Sequence, residues 1–302
     1  MTTSLSATTR GRWPRVALVT CREFADLYDD DRALIPALAA RGVAAEPAVW
    51  DDPDTDWAGY DLAVLRSTWD YPPRRDRFVA WTRRVPRLVN PASVVGWNTD
   101  KRYLTELAAA GVPVVPTRFL APGEPWSPPA TGEYVLKPAV GAGSRDTGRY
   151  DLADGDQRAL ALAHVDRLHG EGATVMVQPY LGAVDRDGET ALMFFAGRYS
   201  HAIRKAALLE GPYLGLDALY KEEDIAPREA EPAQLAVAER VLRAVPGVHP
   251  ADLPYARIDL IPGTGGEPLL VELELTEPSL FLAYAPGSAD RFADALAAHL
   301  GT

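Results

Sequence analysis

The amino-acid sequence predicts an α/β fold, with a parallel sheet in its opening part and antiparallel hairpins farther along. Two patterns carry that prediction. Short apolar runs separated by a helical stretch fill residues 16–65, the arrangement of a β-α-β opening. Beyond residue 189, paired segments with a two-residue repeat flank glycine-containing turns, as the strands of hairpins do.

In chain order, Val16, Ala17, Leu18, Val19 and Thr20 read as a buried strand, with Cys21 buried at its end. A loop through Asp29, Asp30 and Asp31 leads into a helix over 33–40 that ends at Gly42. Further strands are expected at 44–49, 61–65 and 88–90, then a short helix at 91–96. A helix over 100–110 is stopped by Gly111; Asn98, Thr99 or Asp100 could cap it, and Lys101 falls in its first turn. Residues 121–131, rich in proline, glycine and serine, mark a boundary or a surface loop. Strands at 133–138 and 174–178 bracket a glycine-rich loop and a helix at 156–169. Segments 190–196 and 199–205 form a hairpin turned at Gly197, a helix covers 232–244, and a closing helix covers 288–300.

At 302 residues the chain exceeds the usual size of one core, so two or three packed units are expected. Its 47% hydrophobic and 24% charged residues are those of a soluble globular protein. A net charge of −11 argues against nonspecific attraction to nucleic acid or to an anionic membrane, local basic pockets aside. The single cysteine excludes an intrachain disulfide framework and suits a reducing compartment. No apolar run approaches the roughly 20 residues of a membrane span. Residues 1–14 carry two arginines and no apolar stretch, so they read as a disordered leader rather than a signal peptide. The expected location is the cytoplasm; the assembly is open, with a homodimer as the commonest precedent.

The most informative segment is the last hairpin. Strand alternation puts Tyr255, Arg257 and Asp259 on one face of its first arm, and Ala256, Ile258 and Leu260 on the other. On the second arm Leu269, Val271, Leu273 and Leu275 share a face, and Glu272 and Glu274 occupy the reverse. The turn is the run Pro262, Gly263, Thr264, Gly265, Gly266. Antiparallel pairing would gather Asp259, Glu272 and Glu274 beside Arg257, a costly cluster unless protons or cations neutralise it. Oxygen-only ligands suit Mg²⁺ holding substrate phosphates. A plain hairpin with a solvated acidic face is the competing reading.

Lys137 ends a strand and precedes a loop containing Gly141, Ala142, Gly143 and Ser144, a plausible phosphate cradle without the order of a Walker A motif. The strand ending at Gln178 breaks at Pro179, so its exposed backbone could read an adenine edge, with Tyr180 or Leu181 packed on the ring. Arg204 and Lys205 are adjacent and point to opposite faces, so one of the two faces a given site; His201 lies on the same arm and Glu189 opens the partner arm. In open α/β sheets ligands gather beyond the strand ends. Arg66, Ser67, Thr68, Trp69 and Tyr71, directly after the third strand, are therefore substrate-site candidates, against a reading as a capping loop.

Taken together, the order of these pieces resembles the ATP-grasp superfamily of carboxylate ligases over roughly residues 90–300. The sequence around 65–71, 201–205 and 272–278 is most similar to the O-ureido-serine cyclo-ligases of D-cycloserine biosynthesis. The resemblance implies a Rossmann-like parallel-sheet domain (15–98), a small central α+β domain (99–180) and a C-terminal antiparallel-sheet domain (181–302), with nucleotide between the last two. It implies ATP and Mg²⁺ as cofactors, with two magnesium ions and Mn²⁺ as a substitute. Lys101 and Lys137 would contact the phosphates, the loop from Gly141 to Ser144 would close over them, Gln178, Tyr180 and Leu181 would line the adenine, and Glu189 would hold the ribose. Asp259 and Glu272 match the family's metal carboxylates. Glu274 stands where the family usually has asparagine, and a register using Glu274 and Glu277 is the alternative. Arg257 and Arg204 would stabilise the transferring phosphate.

The implied activity is phosphorylation of a small amino acid's carboxylate and attack by an amine, within the same molecule or from another. An intermolecular amino-acid or peptide ligase is the alternative within that class. A nucleotide-binding regulatory protein without turnover is the alternative outside it.

Overall fold

The computed structural model describes residues 12–207, 209, 211–213 and 224–301. Strands β1 (Arg15–Thr20), β2 (Ala44–Val49), β3 (Leu62–Leu65) and β4 (Leu88–Val89) form a parallel sheet in the order β2-β1-β3-β4. Its strands are apolar on both faces because both are covered. Val16, Leu18, Leu62 and Val64 belong to one buried cluster, and Ala17, Val19, Ala63 and Leu65 to another with Trp50, Phe78 and Trp81. Cys21 is fully buried just past β1. Helices α1 (Leu34–Ala39), α2 (Arg75–Thr82) and α3 (Ala92–Asn98) accompany this sheet; α1 fills the helix expected over 33–40, and a 3-10 turn (Asp29–Ala33) precedes it where a loop was expected.

Helix α4 (Tyr103–Ala109) begins three residues later than expected. Lys101 therefore lies in the turn before it, where its backbone N–H donates to Ala139 O at 2.8 Å instead of entering a helix. The second sheet is antiparallel, with β5 (Arg118–Leu120), β6 (Glu133–Pro138), β7 (Gly148–Asp151) and β8 (Val175–Pro179) in the order β5-β8-β6-β7. Helix α5 (Gly155–Gly170) covers it, and Asp154 caps that helix by accepting from Asp156 N at 2.9 Å and Gln157 N at 3.0 Å, an interaction worth about 1 kcal/mol.

After α6 (Ala183–Asp187) comes the third sheet, also antiparallel: β9 (Glu189–Phe195), β10 (Arg198–Lys205), β11 (Ile225–Arg228), β12 (Ala256–Pro262) and β13 (Pro268–Glu274), in the order β11-β10-β9-β12-β13. Helix α7 (Pro232–Arg243) opens with a capping box between Glu231 and Gln234 and follows Pro232 at its first position. One face of the sheet, with Leu192, Ala202, Ala256, Ile258 and Leu270, packs in a cluster with residues of α4 and α7. The opposite face, with Ala191, Met193 and Ile203, packs toward α8 (Ser288–Leu300) and the parallel sheet. Arg41 ties α8 to the end of α1, reaching Asp294 at 2.6 Å and Asp290 at 3.1 Å.

The expected face assignment on β13 needs a correction. Arg257 pairs with Glu274 and Asp259 with Glu272, but Leu260 then pairs with Leu270, so Val271 is an extra residue at a β-bulge. The bulge shifts the phase: Leu270, Leu273 and Leu275 enter the core, while Val271 joins Glu272 and Glu274 on the other side.

Residues 1–11 of the expected leader (1–14) lie outside the described residues, as do Leu208, Glu210 and 214–223 of the segment 208–224, whose Gly211, Pro212 and Gly215 read in the sequence as those of a mobile lid. No helix among the described residues is long and apolar enough to cross a membrane.

Candidate active site

A cavity opens where the second and third sheets meet the loop after β3. β6 and β8 run side by side and present Lys137 and the Gln178 end; β10, β12 and β13 present Lys205, Arg257, Asp259, Glu272 and Glu274. Gly141, Ala142, Gly143 and Ser144 line it from above β6, with Gly143 (φ 64°) and Ser144 (φ 57°) both in the left-handed region. For a serine that conformation is strained, as is common where backbone must curl toward a ligand.

Its charged groups are interlocked. Lys101 Nζ donates to Gly141 O at 2.6 Å and pairs with Glu272 Oε1 at 3.1 Å. Lys205 Nζ bridges Glu189 at 2.7 Å and Asp259 at 3.2 Å. Arg257 clamps Asp259, with Nε 2.9 Å from Oδ1 and Nη2 2.8 Å from Oδ2, and also pairs with Glu274. Lys137 lines the same cavity and makes no ion pair among the described residues.

These contacts sort the acids by charge state. Burial alone would raise the Asp259 carboxyl, but Arg257 and Lys205 outweigh it and hold it below the ordinary value. Burial is likewise outweighed at Glu272, where Lys101 and Lys137 keep the carboxyl low. At Glu274 burial prevails over Arg257, and with repulsion from Glu272 and Asp259 lifts the carboxyl to about 7. Glu277 is lifted to about 8 by burial and then by Glu274. Lys137 is lowered by burial that Glu272 only partly offsets; Lys101 meets the same burial but is raised overall by its contact with Glu272.

Among the described residues no three acids stand ready-made as a metal cluster, since cations hold their oxygens. The donor set nonetheless suits Mg²⁺: it is all oxygen, and Glu274 is lifted by burial and then by repulsion from Glu272 and Asp259, which a divalent ion would relieve.

Of the expected nucleotide-side residues, Lys101, Lys137, the four loop residues, Gln178, Tyr180, Leu181 and Glu189 all line this cavity. The Gln178 side chain is turned to Thr117 Oγ1 at 2.9 Å, and Tyr180 N–H is taken by Glu133 O at 2.8 Å. The Tyr180 ring is stacked under Arg149, whose guanidinium carbon is 3.6 Å from its centre.

Several expected residues lie elsewhere. Arg204 is outside the cavity, donating to Asp187 O at 3.1 Å; Lys205 shares the cavity face, since β10 alternation puts it with Ile203. His201 is buried with Nε2 at 2.9 Å from Leu280 O, and burial lowers its pKa, so it is a neutral brace. Arg66, Ser67 and Thr68 are at most 1% exposed and do not line the cavity. Arg66 pairs with Asp31 at 2.8 Å and donates to Pro278 O at 2.6 Å, and Ser67 donates to Asp31 at 2.8 Å. Removing one partner of such a buried pair costs about 3–5 kcal/mol, which marks this part of the loop as scaffold. Only its far end, Trp69 and Tyr71, reaches the cavity. Sequence reasoning missed Asn98, Ser279 and Phe281 as lining residues. The left-handed φ of 50° at Phe281 has no sequence signal, but Asn98 follows an apolar helical run and could have been weighed as more than a cap.

The chain is 40% identical over 304 residues to Cycloserine biosynthesis protein DcsG of Streptomyces lavendulae, a match covering 94% of this chain and 98% of that one. It belongs to the DcsG family of ATP-grasp ligases. The family profile described as D-cycloserine synthetase DcsG, N-terminal domain, matches residues 16–90. A crystal structure of D-cycloserine synthetase DcsG superposes with a TM-score of 0.82 at 39% identity, covering 95% of this chain and 99% of the other. D-alanine–D-alanine ligase from Bacillus anthracis shares the fold at 16% identity, with a TM-score of 0.63 over 95% of this chain and 97% of that one. As a DcsG-family member the chain is an ATP-dependent carbon–nitrogen ligase, and use of ATP and Mg²⁺ goes with its fold.

Proposed function

We propose that this ligase phosphorylates the carboxylate of a small amino acid and closes a ring by attack of a nitrogen in the same molecule, as in D-cycloserine formation from O-ureido-D-serine. The near full-length likeness to a protein named for cycloserine biosynthesis carries this reading. The cavity supplies the chemistry it needs.

In this reading the nucleotide lies between the units 99–180 and 181–302, with its adenine against Gln178, Tyr180 and Leu181 and its ribose near Glu189. Lys101 and Lys137 take the phosphates under the loop from Gly141 to Ser144. Lys137, half-buried and without an ion pair among the described residues, has its charge available to an incoming anion. Asp259, Glu272 and Glu274 would hold Mg²⁺, two ions with Mn²⁺ as a substitute, which neutralises charge on the transferring phosphoryl group. Arg257 and Lys205, rather than Arg204, stabilise the acyl-phosphate oxygens. The γ-phosphoryl moves to the carboxylate and releases ADP; the oxygen-linked ureido nitrogen then attacks the acyl carbon, loses its proton and expels phosphate, and hydrolysis of the carbamoyl group that this nitrogen still carries, to carbon dioxide and ammonia, completes the product. Trp69, Tyr71 and Phe281 keep water from the acyl-phosphate.

The test is ADP release with Mg-ATP and O-ureido-D-serine alone, against a panel of amino acids singly and in pairs, with products read by mass spectrometry. Turnover on one substrate with a cyclic product supports the reading. A requirement for two substrates overturns it in favour of intermolecular ligation.

A further inference from the structure

Four of the five acids in the cavity are tied to a cation: Asp259 to Arg257 and Lys205, Glu272 to Lys101, Glu274 to Arg257 and Glu189 to Lys205. Glu277 is the exception. Among the described residues it has no basic side chain within ion-pair distance, it is only 8% exposed, and its carboxyl shares a hydrogen bond with Tyr71. Its backbone is fixed from the N-terminal side: Trp69 Nε1 donates to Glu277 O at 2.9 Å and Arg66 Nη2 to Pro278 O at 2.6 Å. The neighbouring walls are the rings of Trp69 and Tyr71, 7% and 3% exposed.

A buried carboxylate with no cation beside it is costly, and a fold that fixes one beside two aromatic rings has built a receptor for a cation. Mg²⁺ is the poorer candidate at this spot, because it demands several oxygen ligands in octahedral array and the walls here are rings. An organic ammonium suits both halves, a charge-assisted hydrogen bond to the carboxylate and contact with the ring faces. We propose that Glu277, walled by Trp69 and Tyr71, seats the ammonium group of the amino acid whose carboxylate is activated. This rests on the function proposed above and adds the feature by which the site selects amino acids over plain carboxylic acids. The raised carboxyl at Glu277 agrees with it, since an arriving ammonium supplies the charge that burial withholds.

The test measures dissociation constants calorimetrically for O-ureido-D-serine and its des-amino counterpart, 3-(ureidooxy)propanoate, with a non-hydrolysable ATP analogue and Mg²⁺ present. Wild type should prefer the amino compound by about 10- to 100-fold. Glu277→Gln should compress that preference to within about threefold while leaving affinity for the ATP analogue and the Mg²⁺ requirement unchanged. Glu277→Asp, which keeps the charge but withdraws it, should fall between and covers the case in which the glutamine variant does not fold. A preference that survives in both variants overturns the inference and leaves the cyclo-ligase reading intact, and so does a shifted Mg²⁺ requirement with preference unchanged. If wild type ignores O-ureido-D-serine, the same pair is built on the panel amino acid that does bind: loss of preference in Glu277→Gln then upholds the inference while the substrate reading falls. Binding of no amino acid at all overturns both.

Discussion

The two ends of the cavity hold the same residue types and treat them oppositely. At one end Asp259 and Glu272 are buried against Arg257, Lys205 and Lys101, and stay ionised below the ordinary carboxylate range. At the other, Glu274 and Glu277 are buried with too little positive charge and are lifted to about 7 and 8. Loss of water is common to all four; the balance between attraction to nearby cations and repulsion from neighbouring acids decides the sign. Asp259 and Glu272 are thus pre-formed for phosphate and metal, whereas Glu274 has only a share of Arg257 and Glu277 has no cation beside it among the described residues, so both are short of the charge that a ligand would bring.

The strongest way to break this contrast is Glu272→Gln. It removes charge without volume and releases Lys101, so kcat for ADP release should fall about 10²- to 10³-fold with little change in melting temperature. Activity near wild type would place the metal elsewhere. Next is the pair on β10: Lys205→Ala should cost about tenfold or more in kcat/KM, because it strips Asp259 and Glu189 of a shared cation, while Arg204→Ala should stay within about threefold. Equal losses would mean that β10 alternation does not decide which side chain serves the site. Lys137→Ala should then weaken ATP binding about tenfold in a direct titration; an unchanged Kd contradicts its assignment to the phosphates.

The smallest effect is on stability against pH. Glu274 and Glu277 have folded values of about 7 and 8 against an ordinary 4.5, so between those limits the folded protein holds protons the unfolded chain has lost. Their contribution is complete below 4.5 and disappears as pH rises through 7 and 8. Asp259 and Glu272, held low, act in the opposite sense and lose their contribution on acidification. Ligand-free Tm should therefore drop by roughly 2–5 °C between about pH 6 and 9, and Glu277→Gln should flatten the slope. A Tm that climbs over that range would refute the description of Glu274 and Glu277 as short of charge.

Much of the fold was legible because strand alternation is a strong local signal: β2 and β6 begin and end where the pattern says, and the acidic hairpin turns within its glycine-rich run. Short or polar elements were not legible. β5, β7 and β11 are three or four residues long, and α2 opens with Arg75 and Arg77 and has no clean apolar stripe. In the site, alternation placed Arg257 with Asp259 but could not foresee the bulge that turns Val271 toward the cavity, because a bulge leaves no periodic trace. Nor could it say which of Arg204 and Lys205 faces inward, since that depends on which face of the sheet the N-terminal units cover. The loop after β3 was picked out by its position, yet position cannot separate a lining side chain such as Trp69 from an anchor such as Arg66.

Arg66, Trp69 and Asp30 all reach across more than two hundred positions of chain to grip the backbone between Glu277 and Ala283. On the ribosome, the early units can collapse long before their distant partners are made. A growing polypeptide that already contains every lysine of the pocket still lacks the wall at 277–283, so the ligase is inert until that stretch has been made.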